Sequence, residues 1–261
     1  AGALCSVIVP TTVQRHALHP LVYECFRRQT YEPKELVVLD TGGAAPSPFF
    51  AELRDARVRY AHEPQMSLGQ DGLEKVGAKR NRLVELARGA AIALFDDDNV
   101  HAPAYLETML EHARTSGAAL VSLGAYYTCA IDASSGRAKE TGWQNGNSGP
   151  VLRDKFLEIR GAVVGPAKAR WHRRGETFVF PRSTFAKGGA RFSERLSIGE
   201  EESFLRGGDH HPVVDDVGIF LHVDHARNTG APLFHETTAQ PLPEPLRDEV
   251  KRAAPALAAF A

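Results

Sequence analysis

The chain has 261 residues, with 31 Lys plus Arg against 32 Asp plus Glu and a formal net charge of -1, so no overall basic field exists to hold nucleic acid or an anionic membrane, and small-molecule partners are expected. Three cysteines, Cys5, Cys25 and Cys129, are odd in number and widely spaced, which fits neither a disulfide framework nor a zinc-ligand pattern and implies a reducing compartment. No apolar stretch approaches the roughly 20 residues that span a bilayer, and the amino terminus lacks the basic and apolar regions of a signal peptide, so a soluble cytoplasmic protein without a transmembrane segment is expected.

Residues 4–9 (LCSVIV) are apolar and β-branched and stop at Pro10, which suits a buried strand. Leu18, Leu21, Val22, Cys25 and Phe26 then recur at helical period, with Pro20 tolerable in the first turn, and predict a helix to about Gln29. Residues 36–39 (LVVL) form a second strand ending in Asp40, followed by a turn at Thr41, Gly42 and Gly43. Residues 57–61 read as a short third strand, and 73–88, with Val76, Leu83, Val84, Leu86 and Ala87, as a helix. The run at 90–95 is a fourth strand, Pro103 opens a helix carrying Leu106, Met109, Leu110 and Ala113, and 118–123 is a fifth strand. Alternating strands and helices imply a mostly parallel sheet in a Rossmann-like half. Beyond Tyr126 the period degrades, and 128–149, rich in Gly, Ser and Asn, reads as loops or a flap. Strands at 177–180 and 217–223 flank a short helix at 200–205; 231–245 is punctuated by proline, and 246–260 closes as a helix.

The fourth strand ends abruptly in Asp96, Asp97 and Asp98. Carboxylates emerging together at a strand's carboxyl end lie where open α/β sheets bind ligands, and they repel one another unless a cation joins them. A hard, oxygen-rich site suits Mg²⁺ or Mn²⁺, which commonly also hold nucleotide phosphates. The competing reading is a solvated acidic turn.

Four blocks in order, SVIVPT (6–11), ELVVLDTGG (35–43), GAKRNRLVELARGAAIALFDDDN (77–99) and ARFSERLSIGEEESF (190–204), with HARNT (225–229) as a fifth, resemble the family-2 glycosyltransferases, which have a GT-A fold. The resemblance implies a Rossmann-like, mostly parallel sheet flanked by helices, with a smaller mixed sheet on the acceptor side. It places a single catalytic domain over 1–230, divided into a nucleotide-binding half (1–125) and an acceptor-binding half (126–230), with 231–261 as a carboxyl-terminal extension. It implies that Pro10 and Thr11 line a nucleobase pocket and that Asp40 accepts from the base imide, favouring a UDP- or TDP-sugar. Arg80 would lie near base and diphosphate, Asp96 at the ribose, and Asp98, the last acid of the DXD motif, on Mn²⁺ or Mg²⁺, with His225 as a further ligand or phosphate contact. Asp97, between the two acids, gets no role beyond local charge.

Departure of a nucleoside diphosphate builds negative charge that a divalent cation neutralises, and an acceptor hydroxyl needs a carboxylate base on the opposite face, which predicts inversion. The resemblance assigns that base to Glu201, then Glu200, where this chain has Glu for the family's Asp. Acids at a helix start are also favoured by its dipole, so Glu200, Glu201 and Glu202 carry a structural reading too. Arg80 sits among Lys75, Lys79 and Arg82, which also read as a solvated helix face. Trp143 and Trp171 suit either acceptor stacking or core packing; His210 and His211 get no role. The alternatives are a sugar-nucleotide pyrophosphorylase, disfavoured because PTTVQRHALHP (10–20) has no glycine to cradle a triphosphate, and a non-catalytic nucleotide-sugar-binding module. The absence of a Gln-x-x-Arg-Trp motif predicts addition of single residues, to a hydroxyl acceptor that the sequence does not identify.

Overall fold

The computed structural model describes residues 2–66, 75–131, 138–145, 175–187, 190–194, 200–201, 209–224, 237–238 and 242–260. In chain order these form β1 (Cys5–Thr12), a 3-10 turn (Val13–Leu18), α1 (His19–Arg27), β2 (Lys34–Thr41), α2 (Pro48–Glu52), β3 (Val58–His62), α3 (Val76–Leu86), β4 (Ala91–Leu94), β5 (Val100–His101) and α4 (Tyr105–Ser116). The second half adds β6 (Leu120–Ile131), β7 (Ala138–Asn145), β8 (Val179–Pro181), α5 (Arg182–Lys187), β9 (His210–Val214), β10 (Phe220–Asp224), β11 (Thr237–Thr238) and α6 (Glu244–Phe260).

β1 runs parallel to β2 and β4, and β2 parallel to β3. β8 lies antiparallel between β4 and β6, and β6 continues the sheet to β7 while also pairing with β9 and β10. The described residues thus share one eleven-stranded mixed sheet along the path β11-β7-β6-β8-β4-β1-β2-β3, the α/β architecture of a GT-A fold. Alternate residues explain the continuous apolar runs. Cys5, Val7 and Val9 of β1, with Leu36 and Val38 of β2, pack with Leu21, Val22 and Phe26 of α1, while Ile8, Val37 and Leu39 face Leu83 and Val84 of α3 on the other side.

One expectation changes. The stretch at 128–149, read as loops, carries the end of β6 and all of β7, paired antiparallel from Ala125↔Asn145 to Ile131↔Ala138. Its partner sequence, AKETGWQN, has no apolar alternation to read, and the strand is held by its backbone ladder to β6. The helix at the carboxyl end belongs to the same core: Leu246, Ala253 and Leu257 join the β1–α1 cluster, and Arg28, the C-cap of α1, clamps Glu249 at 2.6 Å. Among the described residues no helix is long and apolar enough to cross a membrane.

Gln29, at the end of α1, donates to the carbonyls of Cys25 and Ala102 and accepts from the Leu106 amide, which fixes the segment just after the aspartates. Asp215, 1 % exposed, accepts from the amides of Val217, Gly218, Ile219 and Phe220 at 2.7–3.2 Å and thereby folds the turn into β10. Removing a carboxylate with so many buried donors orphans them all, at roughly 1–3 kcal/mol for each unsatisfied group and with incomplete additivity. Asp215→Ala is therefore expected to destabilise the fold by about 3–5 kcal/mol, read as a lower urea midpoint at unchanged slope; a midpoint within experimental error of wild type would contradict it.

Candidate active site

The carboxyl ends of β1, β2 and β4 lie side by side, with Thr11 paired to Asp40 and Ile8 to Leu94, so Asp40 and the aspartate triplet emerge on either side of Pro10 and Thr11. Thr11 is the joint between them. Its Oγ1 donates to Asp97 Oδ2 at 2.5 Å and lies 2.9 Å from His19 Nε2. Since that hydroxyl has one proton, His19 donates from Nε2 and accepts at Nδ1 from Ser47 Oγ, 2.6 Å away. This requires a neutral ring, and burial, with His16 nearby, pushes the His19 pKa down to about 4.

Asp40 is 1 % exposed. Its Oδ2 accepts from Tyr60 Oη at 2.6 Å and lies 2.8 Å from His16 Nε2, whereas its buried Oδ1 has no partner among the described residues. Phe50 stacks on Tyr60 behind it with ring centroids 5.4 Å apart. Across Thr11, the guanidinium of Arg15, carried on the 3-10 turn, bridges the triplet: one nitrogen, Nη1, is 2.7 Å from Asp97 Oδ1 and 2.5 Å from Asp98 Oδ2. Asp97, expected to supply only local charge, is thus held from both sides.

Helix α3 presents Lys79 and Arg80 inward at 2 % and 4 % exposure, so the solvated-face reading holds only for Lys75 and Arg82. Lys79 Nζ donates to the Thr11 carbonyl at 3.2 Å. Arg80 donates through Nη1 to Glu200 Oε1 and through Nη2 to Asp96 Oδ1 at 3.3 Å. The helix is clasped to the strand of chain leading to Glu200. Asn81 bonds both the amide and the carbonyl of Phe192, the Ser193 amide reaches the Glu200 carbonyl at 2.9 Å, and a Cβ on Gly77 would collide with the Ser193 carbonyl. A Cβ on Gly175 would meet the Arg80 guanidinium, a side-chain end that would have to shift.

Asp96, Glu200, Glu201 and Glu176 all act on the Arg80 charge. Burial, then Glu176, Asp98 and Asp97, all acting against Arg80, raise the Asp96 carboxyl above its usual range. Glu201 is raised to about 7 by burial first and by Glu200 next, opposed by Arg80. Glu176, missed in the sequence, is 8 % exposed with Oε1 3.7 Å from His222 Nδ1. It stands in a 3-10 turn of three residues, too short for any period. Arg15 was equally hidden, although its place three residues after the β1 strand end was a usable signal. Asn99 Oδ1 accepts from the Val223 amide at 3.1 Å and docks the end of β10 beside the triplet. His225, the second proposed metal ligand, lies outside the described residues, as do Glu202, Trp171 and the side chain of Trp143.

Among the described residues, no group of three or more His, Cys, Asp or Glu is gathered to hold a metal by itself. The donors present still fit a hard divalent cation. Magnesium-type sites commonly use one or two carboxylates and complete their shell with water and substrate phosphates, and Asp98 is a buried carboxylate already drawn to a cation.

The profile described as glycosyl transferase family 2 matches residues 6–173. EpsH of Bacillus subtilis (strain 168), provisionally named a glycosyltransferase, is 36% identical over 97 residues, which are 36% of this chain and 25% of EpsH. Among solved structures, S. aureus TarS 1–349 in complex with UDP-GlcNAc superposes with a TM-score of 0.55 at 15% identity, over 85% of this chain and 58% of that one. The UDP complex gives 0.53 at 15% identity, over 84% and 60%. The chain spans a quarter of EpsH and less than two thirds of the TarS fragment, and at that identity the TarS likeness is one of fold.

Proposed function

This chain belongs to glycosyl transferase family 2, and from that membership we propose that it transfers a sugar from a uridine diphosphate donor to an acceptor hydroxyl, with inversion at the anomeric carbon. The observation that carries the donor assignment is Asp40. A buried carboxylate oxygen with no partner costs free energy until a donor reaches it, and the N3–H of uracil is such a donor, whereas N3 of cytosine is an acceptor and would be repelled. Pro10 and Thr11 form the wall beside it, and the binding of UDP-GlcNAc by the structurally similar TarS supports the same class of ligand.

In this reading Asp96 takes the ribose and Arg80 turns its positive charge toward base and diphosphate. Asp98, with His225 as a further candidate, would hold Mn²⁺ or Mg²⁺, which neutralises the charge that develops on the departing β-phosphate. Glu200 is committed to Arg80, which leaves Glu201 to take the proton from the acceptor oxygen as it attacks the sugar carbon from the face opposite the diphosphate.

The test is a thermal-shift series with UDP, TDP, CDP and GDP, with and without Mn²⁺, followed by incubation with UDP-sugars. A ligand that binds only the folded chain at 100 times its dissociation constant adds about 2.7 kcal/mol of stability, so UDP with Mn²⁺ is expected to raise the melting temperature clearly, CDP little, and a matching UDP-sugar to release UDP slowly to water. Binding without any UDP release from any sugar would leave a non-catalytic module in place of a transferase, and no metal-dependent shift with any nucleotide would overturn the reading.

A further inference from the structure

We propose that Arg15 is a built-in counter-ion for the aspartate triplet, which holds Asp98 until the donor arrives and then yields it, so that binding of the divalent cation is coupled to binding of the nucleotide. The inference rests on the cation reading of Asp98 given above. One guanidinium nitrogen touches both Asp97 Oδ1 and Asp98 Oδ2, at 2.7 and 2.5 Å, with the side chain 15% exposed. A single positive charge thus lies between two carboxylates in a crevice where unpaired charge is costly.

Asp97 also accepts from the Thr11 hydroxyl at 2.5 Å on its other oxygen, so it keeps a partner when the guanidinium turns away. Asp98 is the acid that the cation reading assigns to the metal, so it is the one exchanged. A divalent ion placed on Asp98 would stand a few ångströms from the Arg15 charge, and that repulsion favours a guanidinium turned elsewhere. The incoming diphosphate supplies the elsewhere: its oxygens are anionic, and the planar fork of arginine suits them. The turn that carries Arg15 is backed by helix α6, so the side chain moves while its backbone stays. Without nucleotide, then, Arg15 competes with the metal; with nucleotide, the competition is relieved.

Direct titration of Mn²⁺, followed by the loss of its free-ion paramagnetic resonance signal, reads this without turnover. Arg15→Gln is expected to bind Mn²⁺ in the absence of nucleotide about tenfold more tightly than wild type, within the ordinary range of coupling between sites, and the gain in Mn²⁺ affinity on adding UDP should shrink accordingly. Arg15→Lys, which keeps the charge, should stay near wild type, and Arg15→Gln combined with Asp98→Asn should lose the tight binding, assigning it to Asp98. A merely structural arginine would give weaker binding on removal. Unchanged or weaker Mn²⁺ binding by Arg15→Gln, while wild type binds Mn²⁺ with UDP, overturns the counter-ion role and leaves the proposed function standing. Failure of both proteins to bind Mn²⁺ even with UDP overturns the cation reading and this inference with it.

Discussion

Asp98→Ala is expected to abolish transfer and metal-dependent nucleotide binding together, with kcat/KM falling by about 10³-fold or more, equivalent to roughly 4 kcal/mol of lost transition-state stabilisation. The size follows from the position of the charge. Asp98 follows β4 by only a few residues and lies in a cleft where its carboxylate is nearly buried, and electrostatic interactions that act on a developing phosphate charge are strongest where water is scarce. The loss should not be a folding defect. Arg15 keeps Asp97, and Asp97 keeps Thr11, so the β1 turn retains an ion pair and a hydrogen bond after the substitution. Melting temperature without ligand should therefore move little, while the Mn²⁺-dependent stabilisation by UDP disappears. Asp98→Asn, of nearly equal volume, separates charge from shape and should behave like Ala. Full turnover by either variant would remove the metal from the mechanism.

The legible part of this molecule is the part whose physics is local. β1, β2 and β4 are buried on both faces, so each is a continuous apolar run, and an acid at the end of such a run must emerge at the sheet edge; Asp40 and Asp96 to Asp98 could be read that way from residue order alone. Arg80 needed more, since only the resemblance separated it from Lys75 and Arg82. The clasp of Gly77 and Asn81 against Phe192 and Ser193 explains why that face of α3 is buried. What stayed hidden depends on contacts between distant segments. Arg15 meets Asp97 and Asp98 across more than eighty residues from a 3-10 turn without apolar period, and Glu176 joins the cleft from a turn of three residues. The β6–β7 pairing was missed for the same reason, because a polar strand is specified by its neighbour.

The choice between Glu200 and Glu201 is the sharpest case, since adjacent identical side chains carry no distinguishing pattern. The geometry separates them. Glu200 is bound to Arg80 and is 5% exposed, so its carboxylate is held in place by a positive charge. Glu201 is less buried and its pKa is raised to about 7 by burial and by Glu200, which suits a general base working near neutrality. Glu201→Gln is expected to lower kcat by about 10²–10⁴-fold with little change in KM for the donor, whereas Glu200→Gln should release Arg80 and act mainly on donor KM. The base must be ionised, so wild-type kcat/KM should climb as pH rises through about 7 and then level, and that limb should vanish in Glu201→Gln. Stability gives an independent check with the opposite sign. The carboxyl is raised above its ordinary 4.5, so the folded chain binds the proton more tightly than the unfolded one, and the stabilisation present below that value is lost as pH rises toward about 7. Glu201→Gln cannot ionise there, so its stability should exceed that of wild type by more at pH of about 8 than at about 5. A variant that keeps both the rate and the acidic limb would transfer the base role away from Glu201.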